Sequence, residues 1–292
     1  MIEFEPHSIY HLSVGEIELD CLSKAGPRII GLSYKGSGNL LATVPQIATS
    51  TPFGDYHYIG GHRLWHAPEA MPRSYIPDDD GVTLTELENG ILLDGKTELA
   101  THIHKQIIIQ INPQYPEIKI KHTLINEGLW DIELAPWAIT MFRHGGVAIL
   151  PMHHPISQDN LLPNRHIALW SYTHIKDPRL TLTDEFIFVK PMPEQGPFKI
   201  GTFNLSGWIG YWIDGILFRK RFDVYPDQPH PDHNSNAEIY CDEYFIELES
   251  IAPLTKLKPG ESIAHIEAWE FFEQLEQPFL SPEIIPIIQA LR

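Results

Sequence analysis

The chain has 292 residues, 43% hydrophobic and 20% charged, a composition that excludes a disordered polymer. Its net charge of −17 argues against nucleic acid and anionic membrane as main partners, because both need a basic surface. Two cysteines, Cys21 and Cys241, are too few for a disulfide framework or a zinc–cysteine site, and they suit a reducing cytosol. The opening MIEFEPHSIY lacks the basic and apolar regions of a signal peptide. No apolar run reaches the length of about 18 residues that spans a membrane. A cytoplasmic protein is the expectation.

Short strands are predicted at 17–22, 81–87 and 91–93. Next comes 105–111, then a break at Asn112-Pro113-Gln114. Beyond it Ile118, Ile120 and Leu124 share one face and Lys119, Lys121 and Thr123 the other, so the two runs form a hairpin. Residues 151–200 are less regular and rich in Pro, His and Asn. Strands resume at 186–189, 207–213 and 216–222. The segment 223–237 reads as a loop, and further strands follow at 244–248 and 263–272. One helix start stands out: Ser281 as N-cap, Pro282 at the first position, Glu283 in the first turn, then Ile284, Ile285, Ile287, Ile288 and Leu291. Pro286 makes that helix short or kinked, an apolar plug on a sheet. Twenty Gly and 25 Pro punctuate the strands. The fold class is therefore all-β: one domain over 1–292, a large antiparallel sandwich with few short helices. Long loops at one end of its sheets are expected to carry the site.

Three groups of residues have chemical potential. In 244–249, alternation puts Phe245, Glu247 and Glu249 on one face and Ile246 with Leu248 on the other. Two carboxylates about 6–7 Å apart on one strand face raise one pKa and suit acid–base work; a solvated strand face is the plainer alternative. In Gly60-Gly61-His62-Arg63-Leu64-Trp65, the glycines permit close backbone approach. His62 suits a proton donor, Arg63 a hydroxyl or carboxylate anchor, and Trp65 a stacking platform. The alternative puts His62 and Trp65 in the core, with Arg63 on a surface carboxylate. In the third group Trp208 shares a face with Trp212, and Lys220 lies between Phe218 and Phe222. A cation among aromatic rings suits a sugar, or else an aromatic core with a snorkelling lysine.

Sixteen histidines raise the question of metal. His102 and His104 form an H-x-H pair, but no glutamate follows within 105–116. His230 and Asp232 have the spacing of a facial triad, with His265 as a third ligand, yet no flanking signature accompanies them. No metal is expected. His153 and His154 suit a pocket or the surface equally. There is no G-x-S-x-G, P-loop or G-x-G-x-x-G, so no serine nucleophile and no cofactor is expected. Composition marks no edge strand for pairing with a second copy.

The stretch Ile246-Glu247-Leu248-Glu249, a spacer with Pro253, then Leu257-Lys258-Pro259-Gly260-Glu261 and an aromatic strand with Trp269, Phe271 and Phe272 resembles the galactose mutarotase-like (aldose 1-epimerase) superfamily. The segments G-G-H-R-L-W, Ala135-Pro136-Trp137 and Lys199-Ile200-Gly201 extend the resemblance to the full length, towards an uncharacterised branch. It implies a supersandwich with its ligand on a concave sheet face, and it lays the family's catalytic glutamate on Glu249, with Glu247 beside it. In that family a histidine of an N-H-x-Y-F-type segment protonates the ring oxygen. Here the comparable segment is Leu134-Ala135-Pro136-Trp137-Ala138-Ile139-Thr140, and Trp137 stands about where that histidine would be. The resemblance therefore implies either an isomerase acting at the anomeric centre of a small sugar or a carbohydrate-binding module without catalysis. For the isomerase, Glu249 is the expected base and His62 the expected acid, with His153 and His233 behind it. Arg63, Lys199 and Lys220 are expected to hold hydroxyls, with Arg179 able to join them in one basic pocket. Trp65, Trp137 or Trp208 would stack on the ring.

Overall fold

The computed structural model describes residues 8–152, 161–273, 288 and 290. Among these residues, two antiparallel sheets of ten strands each make the architecture. In the first sheet the order is Ile9–Val14, Ile17–Leu22, Arg28–Tyr34, His62–Ala67, Ile132–Phe142, Ile246–Ile251, Ala237–Cys241, Phe198–Thr202 and Ala168–Leu169. Thr255–Leu257 pairs beside this path on Ile132–Phe142. The second runs Leu180–Leu182, Phe186–Val189, Val147–Pro151, Trp208–Ile213, Ile216–Phe222, Ser262–Phe272, Glu117–Asn126, Ile103–Ile111, Gly90–Gly95 and Val82–Leu87. A separate two-stranded ribbon, Thr43–Thr51 with Gly54–Gly60, completes the set.

The two large sheets share one core. Leu64, Ile246 and Leu248 come from the first; Ile107, Ile120, Phe218 and Trp269 come from the second. Burial of each such side chain stabilises by about 1.5–3 kcal/mol. The hairpin predicted across Asn112-Pro113-Gln114 forms, with Ile109 opposite Ile120. At 244–248 the strand starts later, at Ile246. Asp242 accepts the backbone N–H groups of Tyr244 and Phe245, and this turn holds both residues out of the ladder. The loop at 223–237 contains one short turn, Pro231–Asn234, with left-handed backbone at Asp232, His233 and Asn234. The helix predicted from Ser281 lies mostly outside the described residues. Ile288 and Ala290 are helical, and Ile288 is buried against Val147, Phe186 and Leu217. Trp208 and Trp212 pack in that same cluster, away from the first sheet. Among the described residues, no helix is long and apolar enough to cross a membrane.

Candidate functional site

Strand alternation divides three central strands of the first sheet. His62, Leu64, Thr140, Ile246, Leu248 and Ser250 turn inward to the second sheet. Arg63, Trp65, Trp137, Ile139, Glu247 and Glu249 turn to the other face. Register then brings distant residues together. Arg63 lies opposite Ile139, Ile139 opposite Glu249, and Glu249 opposite Glu238. In the adjoining row Trp65 faces Trp137. Glu247 faces Tyr240, and Tyr240 faces Lys199. The paired glycines are what let this strand enter the sheet. Gly60 and Gly61 have φ of +107° and +73°, and a Cβ on Gly61 would stand 1.9 Å from the Ile29 carbonyl oxygen.

A cavity of about 390 Å³ opens on this face, within the range of small-molecule sites. Trp65, Trp137 and Trp170 wall it, and the ribbon contributes Tyr58. Arg63, Lys199 and Glu247 also line it. Arg63 lies over the Trp65 ring at 4.5 Å and pairs through Nη2 with Glu247 Oε1 at 2.9 Å. Two further Arg63 nitrogens, Nε and Nη1, are buried without a hydrogen-bond partner. Burial pushes the Glu247 carboxyl up to about 7, even against the pull of Arg63.

Lys199 carries a second charge cluster. Its Nζ lies 2.8 Å from Glu238 Oε2 and 2.8 Å from Glu249 Oε2, and 4.6 and 4.8 Å from the ring centres of Trp137 and Trp170. Glu249 Oε2 also accepts the Trp137 indole N–H at 2.7 Å. Glu238 and Glu249 are fully buried. Burial, against the attraction of Lys199, holds the Glu238 carboxyl well above the usual carboxylate range. Thr173 fixes the backbone of Lys199, accepting its N–H and donating to its carbonyl.

On the inner face lies a different arrangement. Lys220 reaches across from the second sheet and donates to the carbonyls of Ala138 and Leu248, both at 3.0 Å. It pairs with Glu267 Oε1 at 2.9 Å. Glu267 also accepts from Ser250 and from the Trp269 indole. The hydrogen bonds order the protons of three neighbouring histidines. His122 donates Nδ1–H to the His265 carbonyl, so its Nε2 accepts from His62 Nε2–H at 2.7 Å. His62 Nδ1 then accepts from the Thr140 hydroxyl. Ser250 gives its proton to Glu267, so it accepts from His265 Nε2–H. All three rings are neutral in this scheme. Burial holds His62 and His122 below the ordinary histidine range and His265 at about 3. Among the described residues, His62, His122 and Glu267 are the one group with metal-ligand atoms mutually within 4.8 Å. Each of those atoms is already used by this network. His230, Asp232 and His265 form no such group, and His104 bonds Asp94 and Glu127.

The structure thus gathers Arg63, Trp65, Trp137, Lys199 and Glu247 around one cavity. Glu249 sits beneath, sealed by Lys199 and Trp137. Five of the expected residues lie away from this cavity. His62 is fully buried on the inner face, because one residue along a strand reverses the face, so it cannot reach a ligand held by Arg63 and Trp65. Lys220 is fully buried between the sheets and spends its protons on Glu267 and two carbonyls. Trp208 packs away from the cavity, and His233 is exposed and absent from its lining. Arg179 pairs with Asp177 and does not join a basic pocket. His153 lies outside the described residues. Sequence reading missed Tyr58, Trp170, Tyr240 and Glu238. The alternation of Glu238 and Tyr240 against Ile239 and Cys241 was a usable signal; Trp170, in an irregular segment, gave none.

No family model matches the sequence, and no curated protein matches it. Solved structures do match. A candidate aldose 1-epimerase from Escherichia coli K12 is 13% identical, with a TM-score of 0.54 over 91% of this chain and 99% of that one. A galactose mutarotase related enzyme from Lactobacillus acidophilus is 8% identical, with a TM-score of 0.51 over 92% and 99%. A TPR-domain containing protein from Parabacteroides distasonis is 12% identical, with a TM-score of 0.61 over 94% of this chain but 48% of that one. Identity at this level speaks for the fold alone, and this chain shares the fold of these galactose mutarotase-like and aldose 1-epimerase-like structures.

Proposed function

We propose that the cavity binds a small sugar and that the protein interconverts its anomers. The observation that carries this reading is the Arg63–Glu247 pair at a tryptophan-walled cavity, with Glu247 poised near neutral pH. A sugar ring offers apolar C–H faces to the tryptophans and hydroxyls to the charged groups. Opening a cyclic hemiacetal needs a base at the anomeric hydroxyl, and a carboxyl that titrates near 7 is matched to that task. Glu247 lines the cavity and is the base in this reading. Glu249, the residue to which the family resemblance points, holds Lys199 and Trp137 in place from below. An alternative reading, a sugar-binding module without catalysis, draws on Trp137. It occupies the place of the family's histidine, and its N–H is turned to Glu249.

Two-dimensional exchange NMR on a panel of aldoses, uronic acids and sugar phosphates separates the readings. Accelerated anomer exchange supports catalysis. Line broadening without exchange assigns a binding module. Silence across the panel removes both. Among variants, Glu247→Gln should lose exchange far more than Glu249→Gln; the reverse order would return the role of base to Glu249.

A further inference from the structure

The reaction proposed above requires a proton donor at the ring oxygen, and His62 cannot serve. We propose that Lys199 is that donor, replacing the missing histidine with an ammonium held between two glutamates and two indoles. This inference rests on the sugar-isomerase reading.

An ammonium has three N–H groups. Glu249 Oε2 accepts one of them at 2.8 Å, and Glu238 Oε2 stands 2.8 Å from Nζ as an ion pair without a hydrogen bond. Among the described residues no other hydrogen-bond acceptor is recorded for Nζ. The ammonium lies over the rings of Trp137 and Trp170, and Lys199 lines the cavity with Glu247. Trp137 has its one donor committed to Glu249, so it cannot supply the proton. The Lys199 backbone is locked by two bonds to Thr173, so the donor is preorganised. Lys199 and Glu247 are also close enough for each charge to act on the other.

The step balances as follows. Glu247 takes the proton of the anomeric hydroxyl, and the O–H electron pair forms the C1=O1 double bond. The bond from C1 to the ring oxygen breaks, and that oxygen takes a proton from Lys199 Nζ. Glu238 and Glu249 hold the Lys199 ammonium well above the ordinary lysine range, so the proton moves only as the C1–ring oxygen bond breaks and that oxygen takes on alkoxide character. After rotation about C1–C2, the ring hydroxyl attacks the opposite face of C1. Its proton returns to Lys199, and Glu247 returns the other to O1. No oxidant or co-reactant is consumed.

The test uses the full chain and the exchange NMR assay on whichever sugar the wild type turns over. Lys199→Met combined with Glu238→Gln removes the ammonium together with one of the two carboxyl groups that face it. The expected result is a fall in exchange of about 100-fold or more, within the range of a lost proton donor. Sugar line broadening should persist, and added methylammonium should restore at least about tenfold of the rate. Exchange within about threefold of wild type overturns the proposal. So does a loss of exchange that comes with lost sugar binding and no rescue, which assigns Lys199 to structure alone. If the double variant fails to fold, Lys199→Arg decides. It keeps both ion pairs but does not release a proton. A tenfold or greater loss of rate at unchanged affinity supports the proposal, and an unchanged rate overturns it. A wild type that exchanges no sugar on the panel instead overturns the isomerase reading itself.

Discussion

Lys199 and Lys220 are both buried, and each meets a buried glutamate, but on opposite faces of the first sheet. Around Lys220, every charged atom is bonded: two carbonyls and Glu267 face the ammonium, while Ser250 and Trp269 complete the carboxylate. Around Lys199 and Arg63, charge is present without full satisfaction. Two carboxylates share one ammonium, and buried oxygens of Glu238 and Glu249, with two nitrogens of Arg63, make no hydrogen bond. Buried polar groups are ordinarily paired. The saturated cluster is a scaffold that ties the sheets together, and the unsaturated one is where a ligand has something to add. Strands His62–Ala67, Ile132–Phe142 and Ile246–Ile251 carry both.

The largest effect should come from breaking the saturated face. Lys220→Met leaves Glu267 as an unpaired buried charge and should cost about 3–5 kcal/mol, measured by urea unfolding. Adding Glu267→Gln should recover part of that loss; full stability in the single variant would remove the scaffold role. On the other face, Glu247→Gln should reduce anomer exchange by about 100-fold or more while the fold is retained.

The two faces should also answer pH with opposite signs. His265 holds its proton weakly in the folded state, at about 3, against about 6.5 unfolded. The unfolded chain therefore binds a proton first, and stability falls as pH drops below 6.5. Compared with wild type, His265→Leu should escape this loss, so the stability gap between the two should shrink by about 1.4 kcal/mol per pH unit towards pH 3. Glu247 is displaced the other way, to about 7 from an unfolded value near 4.3. Its contribution is favourable below the unfolded value and is lost as pH rises through 7. Glu247→Gln should gain on wild type over that interval, by about 1.4 kcal/mol per pH unit at most. A pair of curves with the same sign would erase the contrast between the faces. The smallest effect concerns a wall of the cavity. Trp170→Ala should weaken sugar binding by about three- to tenfold through lost stacking, read by NMR titration.

Much of this arrangement was legible in the chain. Period-two alternation placed Ile246 and Leu248 in the core and Glu247 with Glu249 on the far face, and the structure agrees. The G-G-H-R-L-W segment held two of the site residues. It misled at His62 because alternation says that neighbours take opposite faces, but not which face carries the ligand. The same rule placed Lys220 between Phe218 and Phe222, and those aromatics belong to the core. Nothing local distinguishes an aromatic stripe that faces a sugar from one that faces the opposite sheet.

The sequence by itself determined the strand-rich character, the alternation of faces and the close backbone approach at Gly60-Gly61, because these depend on backbone conformation and on side chains one or two positions apart. Tertiary structure alone decided which face became the site. Strand order set Lys199 beside Glu249, 50 residues away in sequence, and brought Lys220 under Ala138 and Leu248. Ion pairing and burial act between residues that only long-range pairing makes neighbours. Lysine and glutamate side chains thus became scaffold on one face and candidate chemistry on the other.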